Sequence, residues 1–364
     1  MIEFNNPDIN FWKNKSVLIT GHNGFKGSWL SLWLLEMHAK VIGISLENIC
    51  EISLFEELGI VPFIDHNIVD VTEKEKINEL ILKKQPDIVF HLAAQTLVIE
   101  SYKKPIRTWD VNVMGTINVL NALRNLKKKC AVVFITTDKV YENKNLQYAF
   151  RENDPLGGSD PYSASKAACE IAINAWKNSF CGNRAHQNKN IFIASARAGN
   201  VIGGGDWAND RILPDIVRFL KDKKKIEVRN PQAVRPWQHV IEPLSGYLLL
   251  AEYIYKTETN NDTNFNFGPL IDSNQPVGIL VDECLKYWQG SWIDISKNST
   301  LYEANDLRLA IDKAQRKLNW VPRWKFSETI KNTIMWYKSF YENPKFAKDL
   351  CLKNIYTFLG NKIL

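Results

Sequence analysis

The chain has 364 residues, of which 45% are hydrophobic and 24% charged, proportions that are typical of a folded globular protein and exclude an intrinsically disordered chain. Its formal net charge of +6 comes from 46 basic and 40 acidic residues, a surplus too small to predict nucleic-acid binding. The sequence contains no apolar run long enough for a membrane-spanning helix, and its first residues lack the pattern of a secretory signal, so we expect no membrane association.

The length of the chain and the spacing of its cysteines indicate its domain organisation and its cellular location. A chain of 364 residues exceeds the usual size of one domain, so we expect one large domain with a smaller lobe. The six cysteines lack the paired spacing of zinc or redox sites. They predict free thiols, no metal site and a reducing, cytoplasmic location.

The first half of the chain alternates short apolar strands with amphipathic helices. The predicted strands are 16–20, 41–45, 87–91, 131–136 and 190–196, and the predicted helices are 27–37, 73–83, 108–126 and 161–180. Continuous apolar strands are expected where both faces of a sheet are covered. The alternation therefore predicts an α/β fold with a doubly wound parallel sheet, the Rossmann arrangement.

The pattern becomes less regular after Gly199. We predict a helix over 214–221, short strands over 226–229 and 265–267, and helices over 280–288, 312–318 and 327–337, the second capped by Asp312. This favours a division into a Rossmann domain over residues 1–199 and a smaller C-terminal α/β lobe over residues 200–364. The lobe is expected mainly to bind the substrate, and part of its chain can cross back to the Rossmann domain.

Three glycines follow the first predicted strand, in the spacing G-x-x-G-x-x-G. Glycine permits the unusual backbone angles of a tight turn, and bare N–H groups at the start of a helix can bind the pyrophosphate of a dinucleotide. A plain tight turn is the alternative, but the strand before the loop and the helix after it favour a cofactor site. The residues expected to contact the cofactor here are Gly21, Asn23, Gly24, Phe25, Lys26 and Gly27.

Carboxylates after the second and third strands bear on the choice of cofactor. Glu47 follows the second strand and is a candidate for binding the adenosine ribose, which favours NAD over NADP. Asp70 follows a third, short strand between the predicted strand 41–45 and the predicted helix 73–83, and it is a candidate for contacting the adenine. A role for Asp70 as a loop or helix-cap carboxylate is an equal alternative.

A tyrosine and a lysine stand four residues apart at the start of a predicted helix, as Tyr162 and Lys166, and therefore share one face of it. The pKa of a free phenol is about 10, so Tyr162 can act as a base at neutral pH only if a cation stabilises its phenolate. Lys166 is placed for that role. A random Y-x-x-x-K is usually structural, but this one follows the Gly-rich loop and the polar end of the predicted strand 131–136, which favours catalysis.

Together these elements resemble the extended short-chain dehydrogenases that act on nucleotide sugars, over nearly the whole chain. The resemblance implies that Ala93 and Ala94 run beside the cofactor and that Asn112 braces the active-site backbone. It also implies that Thr137 hydrogen-bonds the sugar near its C4 oxygen, where the tyrosine and lysine start hydride transfer from C4.

Asp138 and Lys139 distinguish two reactions of such enzymes. By the resemblance, 4-epimerases usually have small neutral residues at these positions, because they only oxidise C4 and return the hydride. A 4,6-dehydratase also needs a base for the C5 proton and an acid for the departing C6 hydroxyl, and two adjacent titratable groups fit this elimination. A charged turn at the end of a strand is the structural alternative.

Longer segments resemble the CDP-glucose 4,6-dehydratases in particular. Dehydratases of dTDP-glucose have a glutamate where this chain has Lys139, whereas the lysine resembles the CDP-glucose enzymes. The other similar segments are 11–13, 24–30, 199–207 and 235–240. The resemblance implies a lyase that uses NAD, takes CDP-glucose and serves dideoxyhexose synthesis for surface polysaccharides such as the lipopolysaccharide O-antigen.

Four residues are expected to bind the substrate, namely Gln95, Asn200, Arg211 and Arg235. Arg235 is the candidate for contacting the diphosphate, because a guanidinium matches phosphate geometry with two donors. For Arg211 a structural salt bridge is an equal alternative.

Three positions depart from the resemblance and leave the exact substrate open. Thr96 and Ile99 stand where proline and arginine are expected, and Ala310 stands where leucine and aspartate are expected. The alternatives are therefore a 4,6-dehydratase of another nucleotide sugar, a 4-epimerase, or a dinucleotide-sensing binding protein on the same fold. The helices that carry Asn112 and Tyr162 also have apolar faces, which predicts a homodimer or homotetramer.

Overall fold

The structure is a computed structural model that describes residues 5–48, 51–144, 148–296 and 307–360. Its strands are β1 (Ser16–Thr20), β2 (Lys40–Ser45), β3 (Asp65–Ile68), β4 (Ile88–His91), β5 (Cys130–Ile135), β6 (Ile191–Ala198), β7 (Val201–Ile202), β8 (Ile226–Val228), β9 (Val234–Pro236), β10 (Gln238–His239), β11 (Asn264–Phe267), β12 (Asn274–Pro276) and β13 (Trp292–Asp294). Seven of them form a central sheet in the order β11-β6-β5-β4-β1-β2-β3, in which every neighbouring pair is parallel. The predicted doubly wound parallel sheet is confirmed.

Helices flank this sheet. They are α1 (Ile9–Trp12), α2 (Phe25–Glu36), α3 (Leu54–Glu57), α4 (Lys74–Lys84), α5 (Val98–Lys103), α6 (Pro105–Trp109), α7 (Gly115–Leu123), α8 (Pro161–Phe180), α9 (Ile212–Lys221), α10 (Ile241–Thr257), α11 (Val277–Leu285), α12 (Asp312–Leu318), α13 (Phe326–Glu342) and α14 (Ala347–Phe358). The bounds of α8 are those predicted, and its start is fixed by a capping box in which the Asp160 carboxylate accepts the Tyr162 and Ser163 N–H groups at 2.9 and 3.0 Å.

The inner strands β1, β4, β5 and β6 are mainly apolar because the sheet is covered on both faces there, whereas the edge strand β3 is polar and mostly exposed. Successive side chains of a strand point to opposite faces. In β1, Val17 and Ile19 pack into one hydrophobic cluster and Leu18 packs into the other. All residues of β5 and β6 are buried, which explains why these segments lack an alternating polar pattern.

The predicted single helix over 108–126 is divided in the structure. Helix α6 passes into a π-helical turn over Asp110–Met114, and α7 continues from Gly115. The wider turn contains Asn112, which is fully buried and bonds to the backbone of the loop after β4. Single-turn π bulges of this kind occur often at functional sites.

The chain returns to the central sheet after the first 240 residues. The strand predicted over 265–267 lies at the edge of that sheet, as β11 beside β6, and not in a separate lobe. Helix α10 precedes it and is buried along most of its length. The remaining short strands form three two-stranded pairs, β10 with β7, β12 with β9 and β13 with β8.

Some local predictions need correction or completion. Asp312 is the first residue of α12 and not its cap, which is Ile311; the Asp312 side chain pairs with Arg151 instead. Five cysteines are free thiols, whereas Cys50 lies outside the described residues. Across the described ranges, the helices are too short or too polar to cross a membrane, and no three His, Cys, Asp or Glu side chains gather at a metal site.

Candidate active site

One cavity of about 670 Å³ opens at the carboxyl ends of the central parallel strands. Ligands of open α/β sheets bind at this edge. The loops after β1, β4 and β5, the start of α8 and the segment before α9 contribute to its wall. The predicted site residues that line it are Gly21, Asn23, Gly24, Phe25, Lys26, Gly27, Asp70, Ala93, Ala94, Thr137, Asp138, Lys139, Tyr162, Lys166, Asn200, Arg211 and Arg235.

The glycine loop has the geometry of a phosphate-binding turn. Gly21 has a φ of +75°, and a Cβ there would lie 2.9 Å from the Ala93 backbone nitrogen. A Cβ on Gly27 would lie 2.1 Å from the Gly21 carbonyl oxygen. Gly24 caps α2, so the free N–H groups of the first helical turn belong to the cavity wall. These residues fit a dinucleotide pyrophosphate.

The two acidic candidates for the adenosine half are placed differently. Asp70 lines the cavity, where its carboxylate accepts bonds from Arg107 at 2.5 Å and from the Thr72 N–H at 2.9 Å. Burial raises the pKa of Asp70, but the bonds from Thr72 and Arg107 outweigh it and hold the pKa below its usual value. Glu47 is exposed and is not among the residues that line the cavity, whereas Ser45 is.

The turn after β5 holds a carboxyl group in a buried position. Asp138 is 1% exposed; its Oδ1 accepts the Thr137 hydroxyl at 2.9 Å, and its Oδ2 has no hydrogen-bond partner within the described ranges. Burial raises the pKa of Asp138, against the opposing charge of Lys139. The raised pKa favours the protonated acid, the form that can protonate a leaving hydroxyl. Lys139 lines the same cavity next to it.

Tyr162 and Lys166 both line the cavity from the first turns of α8. Lys166 Nζ donates to the Ile135 carbonyl at 3.2 Å, and burial lowers the pKa of this lysine. Burial also raises the pKa of Tyr162 to about 12, while the Thr137 bond and the Arg211 charge oppose the rise. The phenol is therefore protonated in this structure, and its activation by Lys166 stays a prediction.

A buried amide connects the loop after β4 to α8. Asn112 accepts the Gln95 N–H at 2.8 Å and donates to the Gln95 carbonyl at 3.1 Å and to the Ser165 hydroxyl at 2.9 Å. This is the bracing position that the resemblance implied. The Gln95 side chain is placed differently from its predicted role, because it bonds to Leu97 and Thr108 and does not line the cavity.

The sequence prediction missed a buried ion pair behind the turn that follows β5. Glu170 accepts the hydroxyls of Thr136 at 2.5 Å and Ser195 at 2.8 Å, and it pairs with Arg197 at 2.8 Å. Glu170 stands four residues after Lys166, so the same helical spacing that singled out Tyr162 and Lys166 could have pointed to it.

The two arginines predicted to bind the substrate line the cavity from the second half of the chain. Arg235 is 8% exposed and donates to the Val234 carbonyl at 2.9 Å. Arg211 forms the salt bridge that the sequence left as an alternative, to Asp206 at 2.9 Å, and it lines the cavity as well. Its other terminal nitrogen donates to the Thr96 hydroxyl oxygen at 3.0 Å.

The three positions that depart from the family resemblance, Thr96, Ile99 and Ala310, lie in different parts of the structure. Thr96 and Ile99 line the cavity, so a change of residue at either one alters its wall. Ala310 lies outside the cavity lining, where its N–H donates to the Phe150 carbonyl at 2.9 Å. Only the first two can therefore contact a ligand in the cavity directly.

Comparison with known proteins agrees with this geometry. A family model described as GDP-mannose 4,6 dehydratase matches residues 18–333. A CDP-glucose 4,6-dehydratase of Salmonella typhimurium is 43% identical over 334 residues, which cover 91% of this chain and 93% of that protein. A UDP-glucose 4-epimerase of Mycoplasma genitalium is 26% identical over 346 residues, covering 90% of this chain and 96% of that one.

A solved structure shares the fold. The crystal structure of dTDP-glucose 4,6-dehydratase from Bacillus anthracis in complex with NAD matches with a TM-score of 0.73 and 19% identity, over 92% of this chain and 99% of that chain. The family model covers most of the chain, and the Salmonella protein is a homologue along nearly its whole length. The chain therefore belongs to the GDP-mannose 4,6 dehydratase family.

Proposed function

We propose that this protein is an NAD-dependent lyase that converts CDP-D-glucose to CDP-4-dehydro-6-deoxy-D-glucose. The observation that carries the proposal is the convergence of Thr137, Asp138, Lys139 and Tyr162 on the cavity that also contains the glycine loop. An acid, a second titratable group and an oxidation site side by side suit elimination, whereas a 4-epimerase needs only the oxidation site. The identity of 43% to a CDP-glucose 4,6-dehydratase supports the same substrate.

NAD is the proposed cofactor. The turn from Gly21 to Gly27 would hold its pyrophosphate, and Ala93 and Ala94 border the path towards Tyr162. Held there, NAD would supply a reversible hydride acceptor for the C4 oxidation and the C6 reduction, so that no external oxidant would be consumed. The dTDP-glucose 4,6-dehydratase of Bacillus anthracis, which shares this fold, was solved in complex with NAD, and this supports the choice.

The protein's own residues move three protons. Tyr162 shares a hydrogen bond with Thr137 and acts as the phenolate that Lys166 stabilises; in this form it takes the proton of the C4 hydroxyl as that carbon is oxidised. The resulting 4-keto group acidifies the C5 hydrogen, which Lys139 removes as a proton. Asp138 gives its proton to the C6 hydroxyl, which leaves as water, and Lys139 returns a proton to C5 when the hydride is added at C6. The proton gained by Tyr162 balances, through solvent, the proton given by Asp138, so the net loss is one water molecule.

The binding of the nucleotide sugar depends on positive charge. Arg235 and Arg211 line the cavity and suit the two negative charges of a diphosphate. Asn200 lines it as well, whereas Gln95 supports the loop from behind. Residues 200–364 are proposed to form mainly the substrate lobe, apart from α10 and β11, which return to the central sheet.

A homodimer is proposed through the outer faces of the helices around Asn112 and Tyr162. These helices expose large apolar side chains, including Ile106 at 79%, Ile171 at 61% and Met114 at 47%. A second copy of the chain would cover them around a two-fold axis. The proposed location is the cytoplasm, and the proposed pathway supplies deoxysugars for surface polysaccharides such as the O-antigen.

Mass spectrometry of products from a panel of nucleotide sugars tests the function. The purified protein is incubated with CDP-, dTDP-, UDP- and GDP-linked glucose and with GDP-mannose. We expect loss of one water, about 18 mass units, with CDP-glucose ahead of the others. Dehydration of another nucleotide sugar alone would replace the substrate, and an isomer of unchanged mass would indicate an epimerase.

A further inference from the structure

Arg211 connects two walls of the cavity that come from distant parts of the chain. One terminal nitrogen pairs with Asp206 at 2.9 Å, and the other donates to Thr96 Oγ1 at 3.0 Å. Thr96 lies in the loop between β4 and α5, whereas Asp206 and Arg211 lie in the segment before α9. All three line the cavity. The guanidinium therefore bridges the cavity wall between the central sheet and the second half of the chain.

The Asp206 end of this bridge is rigid. Asp206 is 6% exposed, and its backbone is bound on both sides by the fully buried Tyr337 of α13. The Tyr337 hydroxyl donates to the Asp206 carbonyl at 2.5 Å and accepts the Asp206 N–H at 3.0 Å. The Thr96 end differs, because Thr96 is an exposed loop residue that makes one side-chain bond to the guanidinium.

The Arg211 guanidinium has further N–H donors, beyond those bonded to Asp206 and Thr96, that are available to a ligand. A guanidinium carries about five N–H groups in a fixed plane, and the described contacts of Arg211 engage only its two terminal nitrogens. Asp206 and Thr96 each hold one terminal nitrogen of the guanidinium, which restricts the rotation of its plane about the stem. The remaining N–H groups are thus oriented along the cavity wall, with a charge close enough to Tyr162 to oppose the rise in its pKa that burial causes.

We propose that Thr96 is a positioning residue for substrate binding: its hydroxyl oxygen fixes the Arg211 guanidinium so that the free donors meet an anionic oxygen of the nucleotide diphosphate. The inference rests on the proposed function, because it assumes a nucleotide sugar in this cavity. Thr96 acts through Arg211 and takes no part in proton transfer. Without the bond from Arg211 to the Thr96 hydroxyl, Arg211 keeps its charge and its salt bridge to Asp206, but its guanidinium is no longer held in a single orientation.

Two substitutions at position 96 test the role of the hydroxyl. Thr96→Val removes the acceptor with little change in shape, and Thr96→Ser retains it. We expect Thr96→Val to raise KM for CDP-glucose, and Kd for CDP measured by calorimetry, by about three- to tenfold, the scale of one ordinary hydrogen bond, because the effect on the ligand is indirect. The kcat value and bound-cofactor content should stay within about twofold of wild type, and Thr96→Ser should restore KM and Kd.

A double-mutant cycle shows whether the effect passes through Arg211. In an Arg211→Gln background, or Arg211→Lys if the first does not fold, Thr96→Val should add less than about twofold to Kd. An equal penalty in both backgrounds, or wild-type Kd in Thr96→Val, would overturn the proposal. Failure of the proposed function looks different: the wild-type protein would dehydrate none of the nucleotide sugars, whatever the residue at position 96.

Discussion

Glu170 and Arg197 form an ion pair at 2.8 Å in which each side chain is only 1% exposed. The Arg197 guanidinium also donates to the Tyr141 hydroxyl at 2.8 Å, and Glu170 accepts the Thr136 hydroxyl at 2.5 Å. Thr136 and Tyr141 stand just before and just after Thr137, Asp138 and Lys139. The pair therefore clamps both ends of the turn that carries the proposed acid and base.

Removing one partner of this pair should be costly. Glu170→Ala leaves the Arg197 charge buried without its partner, so we expect the free energy of unfolding to fall by about 3–5 kcal/mol. Urea denaturation followed by circular dichroism measures the loss. In the double variant Glu170→Leu with Arg197→Met no buried charge is left, so its loss should be smaller than the sum of the two single losses. A loss below about 1 kcal/mol in Glu170→Ala would show that the pair does not hold the turn.

Tyr162→Phe should nearly abolish C4 oxidation without disturbing the fold. The ring remains in place, but the hydroxyl group that takes the proton of the C4 hydroxyl is gone. We therefore expect kcat to fall by at least about 10²-fold. Bound dinucleotide, measured after acid release, should stay at the wild-type level. Tyr253→Phe, which removes a tyrosine hydroxyl outside the cavity lining, serves as the matched control. Near-normal turnover of Tyr162→Phe would refute the assigned role.

Lys139→Met should separate oxidation from elimination. Tyr162 and the cofactor turn are untouched, so oxidation at C4 continues, whereas loss of the C5 base slows elimination by about 10²- to 10⁴-fold. Enzyme-bound NADH should then accumulate and be visible at about 340 nm on a stopped-flow trace. The exposed Lys144, which pairs with Glu142 at 3.2 Å, offers Lys144→Met as a control. If Lys139→Met loses the cofactor or unfolds, the lysine is structural.

Glu242 should make the stability of the protein depend on pH. It is fully buried, its Oε1 accepts the N–H groups of Arg323 and Trp324 at 2.8 and 2.7 Å, and burial raises its pKa from 4.5 to about 7. The folded state therefore keeps the proton while the unfolded state loses it between these values. The contribution of Glu242 to stability falls as pH rises from 4.5 to 7.

Glu242→Gln keeps the acceptor oxygen and removes the charge. Above about pH 7 the variant should be more stable than wild type by about 1–3 kcal/mol, and the difference should vanish near pH 4.5. Thermal unfolding at both pH values measures it, with the exposed Glu75→Gln as a control that shows no such difference. If the difference in stability between Glu242→Gln and wild type is the same at both pH values, Glu242 does not titrate in this range.

The features that the sequence predicted are those that local patterns determine. Continuous apolar strands and the Gly-rich turn indicated the parallel sheet and its cofactor edge, because each reflects burial or backbone geometry within a few residues. The bounds of α8 were also predicted correctly, since Asp160 and Pro161 mark its start directly in the sequence.

The features that the sequence did not predict depend on contacts between distant residues. Thr96 and Arg211 are 115 positions apart, and nothing in either segment indicates that they touch. Gln95 was predicted at the substrate, yet its amide is occupied by Leu97 and Thr108. Strand β11 is short and follows an irregular region, so its place beside β6 became visible only in the fold.

The fate of the C4 hydride tests the central claim most directly. CDP-glucose labelled with deuterium at C4 is converted together with unlabelled substrate, in ordinary and in heavy water, and the position of the label is read by NMR and mass spectrometry. The account predicts that deuterium from C4 appears at C6 of the same molecule, that C5 takes up solvent deuterium, and that unlabelled molecules gain none at C6. Return of the label to C4 with the C6 hydroxyl intact, or substantial exchange of label between molecules, would contradict it.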